Sequence, residues 1–129
     1  MADVNRGNRP LSPFMIGKYY RPQLTSMTSI LTRITGNGLL VAAILIVWWL
    51  LAAATSPEAF ATADAVLTSW FGDLVLFLSL WALWYHTLAG IRHLVWDYAV
   101  GLRLDIAEKL GWGVIGGSVV LTILTAIII

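Results

Sequence analysis

The sequence has no cysteine, and only 12% of its 129 residues are charged. Soluble domains carry about 25% charged residues, so a water-soluble globular protein is not expected. Without cysteine the chain cannot form disulfides, zinc ribbons, cysteine-ligated clusters or a catalytic thiol, and any cofactor must be held by other ligands. The formal charge is +1 and the eight Lys and Arg residues are dispersed, which gives no reason to expect a nucleic-acid partner.

Long apolar runs dominate the sequence instead. The stretch from Ile34 to Ala54 holds 21 uncharged residues, against about 20 needed to cross a bilayer core. The stretch from Leu74 to Ile91 has no Asp, Glu, Lys or Arg, and the stretch from Trp112 to Ile129 has no ionisable side chain. This pattern predicts an all-α integral membrane protein with one domain (residues 1–129), a bundle of three transmembrane helices at about residues 30–54, 70–96 and 111–129.

The distribution of basic residues predicts the orientation of these helices. Residues 1–33 carry five Lys or Arg, the first connection (residues 55–73) carries none, and the second (residues 92–111) carries three. By the positive-inside rule, the N-terminal segment (residues 1–28) and the second connection are cytoplasmic and the C-terminus lies outside. The first 28 residues show neither an apolar run nor a cleavage site, which favours a bacterial inner (plasma) membrane over a mitochondrial inner membrane.

Two local patterns predict features of helix ends and helix packing. Ser56 is followed by Pro57 and Glu58, a helix-start pattern that predicts a short helix in the first connection, at the outer surface. Gly113 and Gly117 form a G-x-x-x-G pattern, which at best marks a close contact between helices.

The second predicted helix carries a stripe of small and polar side chains. Polar residues at membrane depth are costly, so His86 is the informative member. It could form hydrogen bonds between helices, relay protons, or bind a metal or haem. Gly90 leaves room for a flat ring one turn away, and the lack of other ligands at suitable spacing favours haem over a bare metal ion. The stripe consists of Ser79, Ala82, His86, Gly90, His93 and Asp97.

Ligand counting points to a partner chain. His86 and His93 are the only histidines, and they lie on one predicted helix. Their separation along that helix is ~10 Å, too far for both to bind one iron. Six-coordinate haem would therefore need a ligand from another chain.

A second polar stripe lies on the first predicted helix, at its cytoplasmic boundary. Arg33 alone is explained if its side chain snorkels to the lipid headgroups. Ser29, however, lies four residues before Arg33 and points the same way. Because the two helices run in opposite directions, this pair should reach the depth of His93 and Asp97. Such a cluster could bind the carbonyl end of a small redox lipid. The stripe consists of Thr25, Ser29, Thr32, Arg33 and Gly36.

Three motifs in order resemble a known family. They are Arg9-Pro10-Leu11-Ser12-Pro13, then Ser29-Ile30-Leu31-Thr32-Arg33-Ile34-Thr35-Gly36, then Tyr85-His86-Thr87-Leu88-Ala89-Gly90-Ile91-Arg92-His93-Leu94-Val95-Trp96-Asp97. Together they resemble the cytochrome b large membrane-anchor subunit of succinate dehydrogenase, respiratory complex II. The third motif is the most specific of the three, and the resemblance covers nearly the whole chain.

The resemblance implies a role for several residues. In this family haem b lies between the large anchor and a small membrane-anchor subunit, each of which supplies one axial histidine, and the matching position here is His86. Ser29 and Arg33 match the ubiquinone site, which the family completes with the iron–sulfur subunit and the small anchor. Arg33 and, as a weaker candidate, His93 match residues near a haem propionate. FAD and iron–sulfur clusters belong to the partner flavoprotein and iron–sulfur subunits, so this chain does not bind succinate.

Two positions depart from the family pattern. Thr32 and Phe14 stand where the family has histidines, so a contact that the first of those histidines makes to the propionate or quinone must be weaker or come from elsewhere. A fumarate reductase anchor is the nearest alternative. A small transporter or channel subunit, with His and Arg along an ion path, is more remote because no internal repeat is found.

Overall fold

Four helices make up the part of the chain that the computed structural model describes, namely residue 20 and residues 22–129. They are α1 (Leu24–Thr55), α2 (Pro57–Leu67), α3 (Trp70–Asp97) and α4 (Leu104–Ile128). Three of them, α1, α3 and α4, are long and apolar enough to cross a membrane, which confirms the prediction of an all-α protein with three spans. The Arg9–Pro13 motif and Phe14 lie outside the described residues.

Two helices begin well before the apolar runs that predicted them. α1 starts at Leu24 and α4 at Leu104, against predicted spans from about residues 30 and 111. A hydropathy count marks only the residues that suit hydrocarbon, whereas a helix continues into the polar region with its backbone hydrogen bonds intact. In the first turns of α4, Ala107 is buried while Asp105 and Glu108 are exposed, so this extension is amphipathic.

The short helix predicted in the first connection is present as α2. The Ser56 side chain accepts a hydrogen bond from the backbone N–H of Ala59 at 3.1 Å, and Pro57 occupies the first helical turn. α2 folds back on the end of α1: the Trp49 indole Nε1 donates to Asp64 Oδ1 at 3.3 Å, and the Trp49 and Phe60 rings lie 5.5 Å apart. A cap, an indole hydrogen bond and an aromatic pair thus hold α2 against α1.

The three long helices pack through small residues. α3 runs antiparallel to both neighbours and contacts each of them along its length. Tyr85, Ala89 and Val114 form the buried centre between α3 and α4, with Leu31 of α1 packed against it. Small interfacial residues let helix backbones approach closely where the hydrophobic effect gives no drive to associate. Buried small residues on the three helices include Thr28, Thr35, Ala42, Ala82, Ala107, Gly111, Ser118 and Thr122.

Only one glycine of the G-x-x-x-G pattern contributes to this packing. A Cβ atom at Gly117 would lie 3.0 Å from Leu88 Cδ1, so α3 and α4 meet there. A Cβ atom at Gly113 would meet nothing within 4 Å. The close helix contact is therefore at Gly117, and Gly113 leaves its surface open in this chain.

Candidate functional site

His86 lies on α3 against the first half of α1. Its ring Nδ1 is 3.1 Å from the Thr32 carbonyl oxygen and 3.3 Å from Thr35 Oγ1. A carbonyl oxygen can only accept a hydrogen bond, so Nδ1 carries the proton and donates it. The Thr35 hydroxyl donates to the Leu31 carbonyl at 2.8 Å, which leaves its oxygen free to accept from the same Nδ1–H. In the neutral imidazole, Nε2 is therefore the nitrogen with the free lone pair.

The surroundings of the ring leave that nitrogen open. Nε2 of His86 forms no hydrogen bond with the described residues, and it is not one of the fully buried, unpaired polar atoms among them. On the same face of α3, a Cβ atom at Gly90 would meet nothing within 4 Å. A neutral histidine with Nδ1–H held by a carbonyl and Nε2 exposed is the arrangement by which imidazole binds metals.

The donor set fits haem iron and does not suit a bare metal ion. No three His, Asp or Glu side chains converge among the described residues, as a protein-only metal site needs. An apolar groove of about 440 Å³ lies between α1 and α3, and His86 is not among the residues that line it. The groove is lined by Leu39, Ala42, Ala43, Ile46, Leu76, Ser79, Leu80 and Leu83. One free imidazole nitrogen suits a metal that already carries other ligands, as haem iron does.

The predicted quinone residues lie near this site on α1. Ser29 is half-buried and Arg33 is exposed, and neither side chain forms a hydrogen bond with the described residues. Thr28 pairs with Arg92, five residues before the end of α3, and Thr32 pairs with His86, so Ser29 lies near the level of Arg92 and Arg33 near the level of His86. Their donors are therefore available to a group outside this chain.

His93 forms no hydrogen bond with Ser29 or Arg33 in the described part of the chain. It is exposed, and its ring meets the Trp96 ring edge to face at 5.2 Å. Asp97, the last residue of α3, is exposed as well. The structure thus brings Ser29, Arg33 and His93 to the same half of the bundle, where the described residues do not enclose them in one pocket.

Thr32, which replaces a family histidine, contacts His86 through its backbone. Its hydroxyl donates to the Thr28 carbonyl at 2.8 Å and so lies along its own helix. Its carbonyl oxygen accepts from His86, and that contact does not depend on the side chain at this position. The substitution therefore leaves the support of His86 in place.

A buried polar cluster at the same end was not predicted. The Tyr85 hydroxyl donates to the Thr28 carbonyl at 2.9 Å, and Arg92 Nη1 donates to Thr28 Oγ1 at 3.1 Å. The Arg92 guanidinium lies 4.7 Å from the centre of the Trp96 ring. Arg92, counted above with the charged second connection, is inside α3 and only 4% exposed. The sequence pattern that could have predicted this cluster is the spacing of Tyr85, Ala89 and Arg92, which places them on one face of a helix.

Comparisons with known proteins identify the family to which the sequence is similar. Residues 5–125 match a family described as "Succinate dehydrogenase/Fumarate reductase transmembrane subunit". The chain is 56% identical over 128 residues to the succinate dehydrogenase cytochrome b556 subunit of Paracoccus denitrificans, covering 99% of this chain and 97% of that protein.

More distant relatives carry names of the same kind. The cytochrome b556 subunit of succinate dehydrogenase from Rickettsia conorii is 36% identical over 116 residues, 90% of this chain and 89% of that protein. The cytochrome b560 subunit of succinate dehydrogenase from Reclinomonas americana is 32% identical over 126 residues, 94% of this chain and 86% of that protein. The similarity therefore spans almost the whole of both chains in each comparison.

Proposed function

We propose that this chain, which belongs to the succinate dehydrogenase/fumarate reductase transmembrane subunit family, binds haem b through His86 and contributes Ser29 and Arg33 to a ubiquinone-reduction site. Within that family it is a membrane cytochrome b subunit of succinate dehydrogenase. It is a non-catalytic subunit of an enzyme complex and a multi-pass protein of the bacterial inner membrane. The observation that carries the proposal is the hydrogen bond from His86 Nδ1 to the Thr32 carbonyl, because it leaves Nε2 free.

His86 would bind the haem iron through Nε2. Haem held there would supply a one-electron redox centre inside the membrane. The second ligand has to come from the small membrane-anchor subunit, since His93 lies ~10 Å further along the same helix. The names of the relatives, all cytochrome b subunits, support haem b as the group. Arg33, and less strongly His93, are the groups of this chain that could pair with a propionate.

Ser29 and Arg33 would bind the head of the quinone. Quinone reduction builds negative charge on a carbonyl oxygen, and a hydroxyl and a guanidinium that face the same way stabilise that charge. Both side chains lack hydrogen-bond partners in the described chain, which leaves their donors available. The iron–sulfur subunit would close the pocket and deliver electrons taken from succinate by the FAD of the flavoprotein subunit. On the positive-inside rule, residues 1–28 and the proposed quinone site would lie on the cytoplasmic side.

The family description includes fumarate reductase, but the relatives compared above are all named as succinate dehydrogenase subunits, which favours succinate oxidation as the partner activity. The haem and quinone roles proposed here are compatible with succinate oxidation and with fumarate reduction.

Replacing Arg33 tests the quinone role. We expect Arg33→Leu to lower succinate-to-quinone electron transfer by roughly a hundredfold, because losing one donor to a developing oxyanion costs about 2 to 4 kcal/mol. Succinate oxidation with an artificial dye should persist, since the dye accepts electrons before the quinone. The measurement is the ratio of quinone to dye activity in the purified complex.

Arg103→Leu is the matched control. Arg103 is an exposed arginine on the second connection, paired with Asp105 at 3.2 Å, so its replacement removes the same charge outside the proposed pocket. Its quinone-to-dye ratio should equal that of the wild type. An assembled Arg33→Leu complex with a normal ratio would show that Arg33 only snorkels to the headgroups.

A further inference from the structure

The contact between His86 and α1 is closer than two ordinary packed helices require. Gly36 faces the ring, and a Cβ atom there would lie 3.1 Å from His86 Cε1 and 3.6 Å from Nδ1. Few real side-chain contacts are that short, so glycine at this position lets the imidazole approach the α1 backbone. The approach is what brings Nδ1 to 3.1 Å from the Thr32 carbonyl.

Two acceptors on α1 share the proton on Nδ1. The Thr32 carbonyl fixes the tautomer, because a carbonyl oxygen has no proton to give. The Thr35 oxygen lies 3.3 Å from Nδ1, and its own proton is used in the 2.8 Å bond to the Leu31 carbonyl. A second acceptor on the same N–H draws the proton further from the ring. The ring then becomes a stronger electron donor at Nε2.

We propose that α1 positions and tunes the haem ligand of α3: Gly36 admits the His86 ring, the Thr32 carbonyl fixes its tautomer, and the Thr35 hydroxyl lowers the reduction potential of the haem. This proposal rests on the proposed function, in that His86 must bind the iron. A stronger imidazole donor stabilises ferric over ferrous haem, so removing an acceptor from Nδ1–H moves the potential in the positive direction. Thr32, Thr35 and Gly36 are positioning residues, since none of them reaches Nε2.

The test is a redox titration of the haem in the purified complex with Thr35→Val and Thr35→Ser. Valine keeps the branched shape and loses the oxygen, while serine keeps the oxygen. We expect the midpoint potential to shift positively in Thr35→Val and to return towards the wild-type value in Thr35→Ser. Haem should remain bound in both, because the Thr32 carbonyl still holds Nδ1–H.

A second pair of variants tests the clearance that Gly36 provides. Gly36→Ala should displace the ring and lower the haem content or change the low-spin electron paramagnetic resonance signal. Gly38→Ala is the matched control on the same helix, because a Cβ atom there would meet nothing within 4 Å. It should leave haem content and signal unchanged. This pair tests the positioning role of α1 even if the Thr35→Val complex fails to assemble.

The outcomes separate this inference from the function on which it rests. An unchanged or more negative potential in Thr35→Val overturns the tuning role of Thr35, and Gly36→Ala behaving like Gly38→Ala overturns the positioning role of α1. If His86→Ala abolishes the haem spectrum in the same experiments, the proposed function stands while the inference fails. If His86→Ala keeps a normal spectrum, the proposed function itself fails.

Discussion

Thr28 is the residue through which α3 is fixed to the first turns of α1. It is fully buried, and it accepts from Tyr85 at its carbonyl and from Arg92 at its hydroxyl. Polar groups buried in a low-dielectric interior are costly unless they are paired, so these bonds matter for the register of the two helices. Ser29 is the next residue along the chain. The same bonds therefore hold one of the proposed quinone donors at a fixed depth.

Removing one of these bonds should destabilise the protein measurably. Tyr85→Phe keeps the ring and deletes the hydroxyl that donates to Thr28 at 2.9 Å. We expect a loss of about 0.5–1.5 kcal/mol in the free energy of unfolding, the net value of one hydrogen bond. Denaturant unfolding of the purified complex, followed by helix content, measures it. Tyr98→Phe is the control, because Tyr98 is 83% exposed and its replacement should leave the free energy of unfolding unchanged. Equal stability of the two variants would contradict the account.

A candidate ligand role for His86 could be predicted from the sequence, but the contacts of its ring could not. For a lone histidine at membrane depth, with a glycine one turn away, haem ligation is one of three possible roles. The partner of Nδ1 is a backbone carbonyl on another helix, and every residue type carries such a group. Only the relative position of α1 and α3 identifies the Thr32 carbonyl as the acceptor.

The corner between α2 and α3 fixes how the chain enters the second span. The Ser69 hydroxyl accepts from the Gly72 N–H at 3.1 Å and caps the first turn of α3. Gly72 is buried, and a Cβ atom there would overlap the carbonyl oxygens of Leu67 and Val66. These are backbone atoms and cannot rotate away. A side chain at position 72 therefore requires the two helices to separate.

Gly72→Ala tests this corner. We expect a loss of roughly 1–3 kcal/mol in the free energy of unfolding, typical of an inserted methyl group with no room, and a lower yield of assembled complex. Gly116→Ala on α4 is the control, since its Cβ atom would meet nothing within 4 Å. Unfolding midpoints of the two variants, measured side by side, decide the point. Matching midpoints would mean that the corner relaxes at little cost.

Helix identity was easier to predict than helix extent. The apolar runs identified all three long helices because a bilayer demands about 20 apolar residues. The Ser56-Pro57 pattern identified α2, since capping chemistry is local. The runs could not show that Arg92 belongs to the buried interior. Its guanidinium is paired with Thr28 and lies over Trp96, and those contacts depend on tertiary structure.

The described part of the chain groups its proposed haem and quinone residues in one half of an apolar bundle. His86, the Thr28–Arg92 pair, Ser29 and Arg33 lie on the half of α1 and α3 where α4 also begins, beside Gly111. The other half of the α1–α3 face is an apolar groove. Large apolar side chains are exposed along every span, which suits contact with lipid or with a partner subunit. This division matches a subunit that anchors a complex and holds a redox group at the boundary with its partners.

The most direct test of this account is the reduced-minus-oxidised visible spectrum of the complex purified with His86→Ala and, separately, with His93→Ala. The account predicts that His86→Ala abolishes or alters the low-spin b-type bands, because Nε2 of His86 is the nitrogen of this chain left free at the right depth. His93→Ala should keep the bands, since His93 lies ~10 Å further along α3. A normal spectrum in His86→Ala, or loss of the bands in His93→Ala alone, would contradict the assignment of the haem ligand.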